Sequence, residues 1–127
     1  MPSSLSPRAF LVSVVGGFGT AAFAAWNLSL IPRDYLDITK SNMLAPYAYA
    51  AALAPPTIWG IRQINKAFKL GTNRDVFIAF LGGACLFDSI AIVFASTLYG
   101  HDGPALTGSA TSILHGAGAL LLAELLM

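Results

Sequence analysis

Two ionisable residues fall inside long apolar stretches of the sequence. Asp88 lies within Cys85-Leu86-Phe87-Asp88-Ser89-Ile90, and His115 lies within the last apolar stretch. A charged side chain at the centre of a bilayer costs about 2.5–3.5 kcal/mol on insertion scales, and such residues usually face the interior of a helical bundle. Asp88 is therefore expected to be inside the protein, beside a polar partner.

The spacing of the two residues favours His115 as that partner. Asp88 lies 13 residues before His101, and His115 lies 13 residues after Asp102. In an antiparallel hairpin that turns between His101 and Asp102, equal numbers of residues at a constant helical rise would bring both to one depth. Small side chains flank both and would allow close helix packing: Ala84, Cys85, Ala91 and Ala95 around Asp88, and Gly108, Thr111, Ser112, Gly118 and Ala119 around His115.

A carboxylate beside an imidazole in a dry environment can support acid–base catalysis in two ways. The carboxylate can orient the imidazole, which then acts as base or acid. Alternatively, burial can keep the carboxyl protonated near pH 7, so that it acts as a proton donor. The competing interpretation is structural: an interhelical hydrogen bond that fixes helix register, of a kind that averages about 0.6 kcal/mol in membranes.

Other polar residues in the apolar stretches are candidates for orienting a substrate. They are Asn27, Tyr47, Tyr49, Thr111 and Ser112. Each also has a structural interpretation, because an amide in a membrane usually makes an interhelical hydrogen bond and tyrosines often lie at the membrane interface. Pro46, Pro55 and Pro56 share the second stretch with the tyrosines, and the kink that prolines cause is expected to help open a pocket.

The elements that must position these residues are membrane helices. Only 10% of the 127 residues are charged and 56% are hydrophobic, whereas soluble domains carry about 25% charged residues. Four apolar stretches, at about 9–31, 42–61, 76–99 and 104–127, are each long enough to cross a bilayer. The sequence therefore predicts one all-α membrane domain over 1–127, a bundle of four antiparallel transmembrane helices.

The distribution of charge predicts the orientation of this bundle. With four spans, the side that holds both termini carries five basic residues and the other side carries two, Arg33 and Lys40. The positive-inside rule therefore places both termini in the cytoplasm. In a eukaryotic host the expected location is the endoplasmic reticulum membrane. Glu124, near the end of the fourth stretch, is expected to form a salt bridge with Arg74 or Lys69.

An alternative interpretation of the N-terminal stretch is a cleaved signal peptide. Arg8 precedes the apolar run, and small residues occur from Ala22 to Ala25. The run is long for a signal peptide and continues through Trp26, which favours a retained span.

Several classes of ligand are excluded by composition. A net charge of +1 without a basic stripe gives no reason to expect a nucleic-acid partner. The sequence has one cysteine and no Cys/His cluster with zinc spacing, so no metal site is predicted, and no motif implies a cofactor. The expected partners are the lipid bilayer and a lipophilic small molecule, and a homo-oligomer is compatible with the sequence.

Three segments of the second half resemble DoxX-like proteins, small four-span membrane proteins of fungi and bacteria whose function is uncharacterised. The segments are Asn73-Arg74-Asp75, Phe87-Asp88-Ser89 and Leu114-His115-Gly116-Ala117-Gly118-Ala119-Leu120. The resemblance implies functional roles for Asp88 and His115. It also implies a link to secondary metabolism, because fungal relatives occur among enzymes that tailor such metabolites. The Arg-Asp pair that these proteins often have in the second span is replaced here by Leu53-Ala54-Pro55-Pro56.

These observations favour a membrane-embedded enzyme that uses Asp88 and His115 for acid–base chemistry on a lipophilic small molecule. Isomerisation, opening or hydrolysis of an epoxide, and cyclisation are the expected reactions. A non-catalytic subunit or assembly factor of a membrane complex is the alternative. A proton-coupled carrier ranks third, because the sequence has no internal repeat and few titratable groups.

Overall fold

The computed structural model describes residues 5–40 and 43–127, and the regular structure in this part of the chain is helical. Four long helices and one short helix are joined by turns, and a 3-10 helix follows α4. Their bounds are α1 Pro7–Leu30, α2 Arg33–Leu36, α3 Leu44–Phe68, α4 Asn73–Phe94, the 3-10 helix Ser96–Tyr99 and α5 Gly103–Leu126.

Three helices, α1, α4 and α5, are long and apolar enough to cross a membrane. Helix α3 has 25 residues and is as long as the others. It is less apolar, because Pro46, Pro55 and Pro56 and two tyrosines interrupt its hydrophobic residues. The prediction of an all-helical membrane protein is thus confirmed, with three helices that are long and apolar enough to span a membrane.

Helix α3 extends two turns beyond the predicted end of the second span at Ile61. The reason is Asn65, whose amide organises the turn that follows the helix. Its Oδ1 accepts hydrogen bonds from the backbone N–H groups of Leu70 and Gly71, and its Nδ2 donates to the carbonyl of Gly71 and to Asn73. The predicted start of this span, Asn42, lies outside the described residues.

Helices α1 and α4 pack backbone against backbone through two glycines. Gly17 lies against the carbonyl oxygen of Phe80, and Gly83 lies against the carbonyl oxygen of Val14. A side chain at either glycine would collide with the main chain of the other helix. This packing is therefore available only because both positions lack a Cβ atom.

The two helices run parallel to each other. Near the start of both, Ala9 belongs to the same apolar cluster as Val76. At the far end, Ser29 of α1 lies against Gly100, which follows α4 and its 3-10 helix. Residue numbers therefore increase in the same direction along both helices.

Helices α3 and α5 form a second parallel pair. Tyr47 stacks on His115 near the start of α3, and Arg62 reaches Glu124 near the end of both helices. Among the four long helices, the most extensive packing is therefore between the first and the third, α1 and α4, and between the second and the fourth, α3 and α5.

Two apolar clusters close the ends of the molecule. One contains residues from the start of α1, the end of α3 and the start of α4, namely Ala9, Ile58, Ile61, Leu70, Val76, Phe77 and Phe80. The other surrounds Tyr99 and contains Ala25, Leu28, Leu36, Ala91 and Ala105. The space between the clusters holds the candidate site.

Candidate functional site

Asp88 lies inside the protein, as the sequence predicted, and its partner is Tyr99. Asp88 is 7% exposed and is the only buried carboxylate among residues 5–40 and 43–127. The Tyr99 hydroxyl, itself completely buried, donates a hydrogen bond of 2.8 Å to Asp88 Oδ1. The sequence analysis missed this residue, because Tyr99 lies 11 positions after Asp88 and would be about 16 Å away on a continuous helix.

The bond forms because α4 ends early and the chain folds back. Ala95, with φ −142° and ψ 45°, ends α4, and the 3-10 helix that follows returns Tyr99 toward Asp88. Gly100 ends this turn with φ +70°, a conformation that side chains disfavour. A Cβ atom at Gly100 would lie 2.8 Å from the Cβ of Ser29, so glycine is also required by the close approach of α1.

Asp88 forms part of the wall of an interior cavity of about 240 Å³. All four long helices contribute to this cavity, and its lining is predominantly apolar. Small residues create much of the space: Ala21, Ala24, Ala50, Ala54, Ala84, Gly116 and Ala117. A cavity of roughly 150 Å³ holds benzene, so by proportion this space suits a molecule of about ten carbon atoms.

The second carboxylate oxygen of Asp88 is free to interact with a ligand. Only Oδ1 takes part in the bond with Tyr99, and within the described residues Oδ2 has no hydrogen-bond partner. This oxygen is not sealed by packing either, because the one fully enclosed, unpaired side-chain polar atom in the described residues is Arg62 Nε. The cavity therefore presents one unsatisfied carboxylate oxygen on an apolar wall.

The cavity opens laterally between α1 and α3, two helices that make little contact with each other. Phe23 and Leu53, which line the cavity from opposite sides of this gap, are 63% and 42% exposed. An adjoining depression shares Asn27 and Tyr49 with the cavity and continues to Tyr35 at the end of the bundle. A lipophilic molecule could therefore enter from the side without crossing the protein core.

Several polar side chains of the cavity wall donate hydrogen bonds to backbone carbonyls of their own helices. Thr20, Thr57 and Ser112 each donate their hydroxyl hydrogen to the carbonyl oxygen four residues earlier. Asn27 donates in the same way to the carbonyl of Phe23. Their oxygen atoms remain available as acceptors, so the wall is richer in acceptors than in donors.

His115 lies away from the cavity, and the predicted hydrogen bond between Asp88 and His115 is not present. The cavity-lining face of α5 contains Ser112 and Gly116, whereas His115 is exposed on another face and stacks on Tyr47 at a ring distance of 4.4 Å. The two residues lie at a similar depth, since Ser112 and Gly116 on either side of His115 line the same cavity as Asp88, but the His115 side chain points to a different face of α5.

The five predicted substrate-orienting residues divide into two groups. Asn27, Tyr49 and Ser112 line the cavity, but Tyr47 and Thr111 do not. The division follows helical periodicity, since Tyr47 and Thr111 point to neighbouring faces of α3 and α5. Their participation in a reaction stays a prediction.

Glu124 forms its ion pair with Arg62, not with Arg74 or Lys69. The Arg62 Nη2 to Glu124 Oε2 distance is 3.3 Å, and both side chains are partly buried. The prediction treated Arg62 as part of a loop. Since α3 continues to Phe68 and packs against α5, Arg62 instead lies on a helix facing Glu124.

Charged residues at the opposite end form surface pairs. Arg33 binds Asp102 and Lys40 binds Asp34. The Arg33 guanidinium, through its hydrogen bond and its charge, lowers the pKa of Asp102 below the ordinary value of 3.8. The first of these pairs joins the start of α2 to the residue that precedes α5.

Comparisons with known proteins leave the family open. No family model matches the sequence, and no similar chain was found among curated proteins or solved structures. The described residues also contain no group of His, Cys, Asp and Glu side chains that could hold a metal ion. The functional argument therefore depends on the cavity and Asp88.

Proposed function

We propose that this protein is a membrane-embedded enzyme that carries out acid–base chemistry on a lipophilic small molecule. The observation that carries the proposal is the free oxygen of Asp88 on the wall of an apolar cavity. A binding site of this kind, mostly apolar with few converging polar groups, is typical of small-molecule sites. A subunit whose role is only to pack against other helices would not need such a cavity.

Asp88 is the proposed proton-transfer residue, and Tyr99 is its positioning residue. The hydrogen bond from Tyr99 fixes one oxygen of the carboxyl group, so the other oxygen faces the substrate in a defined orientation. Asp88 can then remove a proton from the substrate or return one, which suits isomerisation, epoxide opening or cyclisation. His115 stacks on Tyr47 outside the cavity, so the proposal assigns no proton-transfer step to it.

The proposed topology has four spans that alternate in direction, with both termini in the cytoplasm. The apolar cluster around Val76 supports alternation, because it joins the start of α1 to the end of α3. The charges support the orientation. Five basic residues, Arg8, Arg62, Lys66, Lys69 and Arg74, lie at the end that holds both termini, and two, Arg33 and Lys40, lie at the other end.

The proposed biological role is a step in natural-product biosynthesis, in the endoplasmic reticulum membrane if the host is eukaryotic. This part of the proposal is supported by the DoxX-like segments around Asp88 and His115. It agrees with a site that has room for an apolar compound and can be entered from the lipid.

The test of the enzymatic role is metabolite profiling of host cells that express variants. Asp88→Asn and Tyr99→Phe should each change the metabolite pattern, with Asp88→Asn having the larger effect. Ser89→Ala is the matched control, because Ser89 lies beside Asp88 on the exposed face of α4 and bonds only its own helix. Unchanged metabolites in a folded Asp88→Asn variant would exclude catalysis and favour the role of a non-catalytic subunit.

The topology is tested by labelling with a membrane-impermeant thiol reagent. In a Cys85→Ser background, Lys69→Cys should be labelled only from the cytoplasmic side and Ile38→Cys only from the opposite side. Both positions are exposed. Labelling of both from one side would contradict four spans.

A further inference from the structure

The distribution of hydrogen-bond donors and acceptors in the cavity restricts the ligand that it can take. Thr20, Thr57 and Ser112 have committed their hydroxyl hydrogens to main-chain carbonyls. Asp88 contributes an oxygen with no partner in the described structure. A ligand that carries only acceptors would leave this carboxylate unpaired, and an unpaired buried acceptor is costly.

We infer that the cavity takes a neutral lipophilic alcohol of about ten carbon atoms, whose hydroxyl group donates to Asp88 Oδ2. The inference rests on the proposed function and names its substrate class. The hydroxyl hydrogen is the complement of the free oxygen, and the hydrocarbon part of the alcohol matches the alanines and glycines of the wall.

The entry route favours a neutral compound over an amine. The opening between α1 and α3 is bordered by Phe23 and Leu53 and faces the region that the apolar helices would place in lipid. An ammonium ion would have to shed water in hydrocarbon before it reached Asp88, at a cost of several kcal/mol. An alcohol of this size partitions into the bilayer and can enter from it.

Tyr49 extends the same argument to the mouth of the cavity. Its ring is 50% exposed and lines both the cavity and the adjoining depression. Its hydroxyl makes no hydrogen bond within the described residues. Tyr49 therefore offers a hydroxyl donor at the mouth of the cavity. A ligand whose hydroxyl group binds Asp88 would meet this donor if it carried a second oxygen at its other end.

The test measures binding of matched probes to the purified protein in lipid nanodiscs. The probes are geraniol, its methyl ether and the corresponding amine, and binding is followed by saturation-transfer NMR with protein-free nanodiscs as reference. Geraniol should bind roughly 10- to 150-fold more tightly than the ether, because one hydrogen bond to a charged group is worth roughly 1.5–3 kcal/mol. Equal binding of alcohol and ether, or tighter binding of the amine, would overturn the inference.

Two variants connect the selectivity to the cavity. In Asp88→Asn the amide oxygen can keep the Tyr99 bond, so the NH₂ group faces the cavity and the preference for alcohol over ether should disappear or reverse. Ala117→Phe should remove binding of all probes by filling the cavity, and it gives a result even if Asp88→Asn does not fold. Ser89→Ala should retain the wild-type selectivity. A preference that persists in Asp88→Asn or Ala117→Phe would place binding elsewhere.

The binding experiment and the metabolite experiment can fail separately. Alcohol selectivity that depends on Asp88, together with unchanged host metabolites, would support the ligand class and contradict the enzymatic role. Changed host metabolites without alcohol selectivity would support the enzymatic role and contradict the ligand class.

Discussion

Tyr99 and Asp88 form a buried hydrogen bond of 2.8 Å between a 3-10 turn and the helix that precedes it. The bond ties the end of α4 to its own middle and fixes the orientation of the carboxyl group at the cavity wall. The two residues are 11 positions apart, and only the turn after α4 brings them into contact.

Tyr99→Phe should destabilise the protein by about 1.5–3 kcal/mol, because it removes a buried hydrogen bond to a charged group. The free energy of unfolding in mixed detergent micelles measures the loss. Tyr47→Phe is the control, since the Tyr47 hydroxyl makes no hydrogen bond in the described structure and its ring can still stack on His115. Equal stability of the two variants would mean that the bond contributes nothing.

Gly17→Ala and Gly83→Ala should each destabilise the protein by about 1–3 kcal/mol through overpacking. At both sites the new methyl group would collide with main-chain atoms of the opposite helix, which cannot move without separating α1 from α4. Gly19→Ala and Gly82→Ala are matched controls on the same helices, because a Cβ atom at either site meets open space. The controls should be neutral or stabilising by up to about 1 kcal/mol, and destabilisation of all four variants alike would contradict close packing as the cause.

Glu124→Gln should lower the free energy of unfolding by about 1–3 kcal/mol, because it leaves a partly buried guanidinium without its charged partner. A double-mutant cycle with Arg62→Met separates the pair's interaction from the individual changes. We expect the second substitution to cost less in the Glu124→Gln background than in the wild type. Additive effects would show that the two residues are not coupled.

The Arg33–Asp102 pair should stabilise the protein at neutral pH and lose its effect in acid. Arg33 lowers the pKa of Asp102 in the folded state, so the stabilisation is present above the ordinary carboxyl pKa of 3.8 and is lost as the pH falls through the lower folded-state value. The free energies of unfolding of the wild type and Asp102→Asn should therefore differ at pH 7 and converge only as the pH falls below the folded-state pKa of Asp102. Added salt should reduce the difference at pH 7, because both side chains are exposed. A difference that is independent of pH would contradict this origin.

The sequence predicted the apolar helices and the burial of Asp88 because both follow from local composition. The bounds of α1 and α5 lie within two residues of the predicted spans, since Pro7 and Pro104 lie in the first turns of these helices. The extension of α3 could not be predicted, because Asn65 acts through a turn that forms only when the chain folds back.

Helix pairing and the partner of Asp88 depend on tertiary structure that the sequence pattern does not encode. Small residues flank Asp88 and His115 alike, so they indicated close packing without saying which helices meet. The close approach at Gly17 and Gly83 brings α4 against α1, and this leaves His115 on α5 to pack with Tyr47. The early end of α4 at Phe94 then makes Tyr99 the partner of Asp88.

The parallel pairing of α1 with α4 also bears on biosynthesis. Gly17 meets Phe80, so the whole of α2 and α3 must be synthesised before this contact can form. At about 5–20 residues per second, the ribosome needs roughly 3 to 13 seconds to deliver the partner of the first helix. During that interval the glycine surface of α1 faces lipid or the insertion machinery, and assembly of the bundle is necessarily a late event in translation.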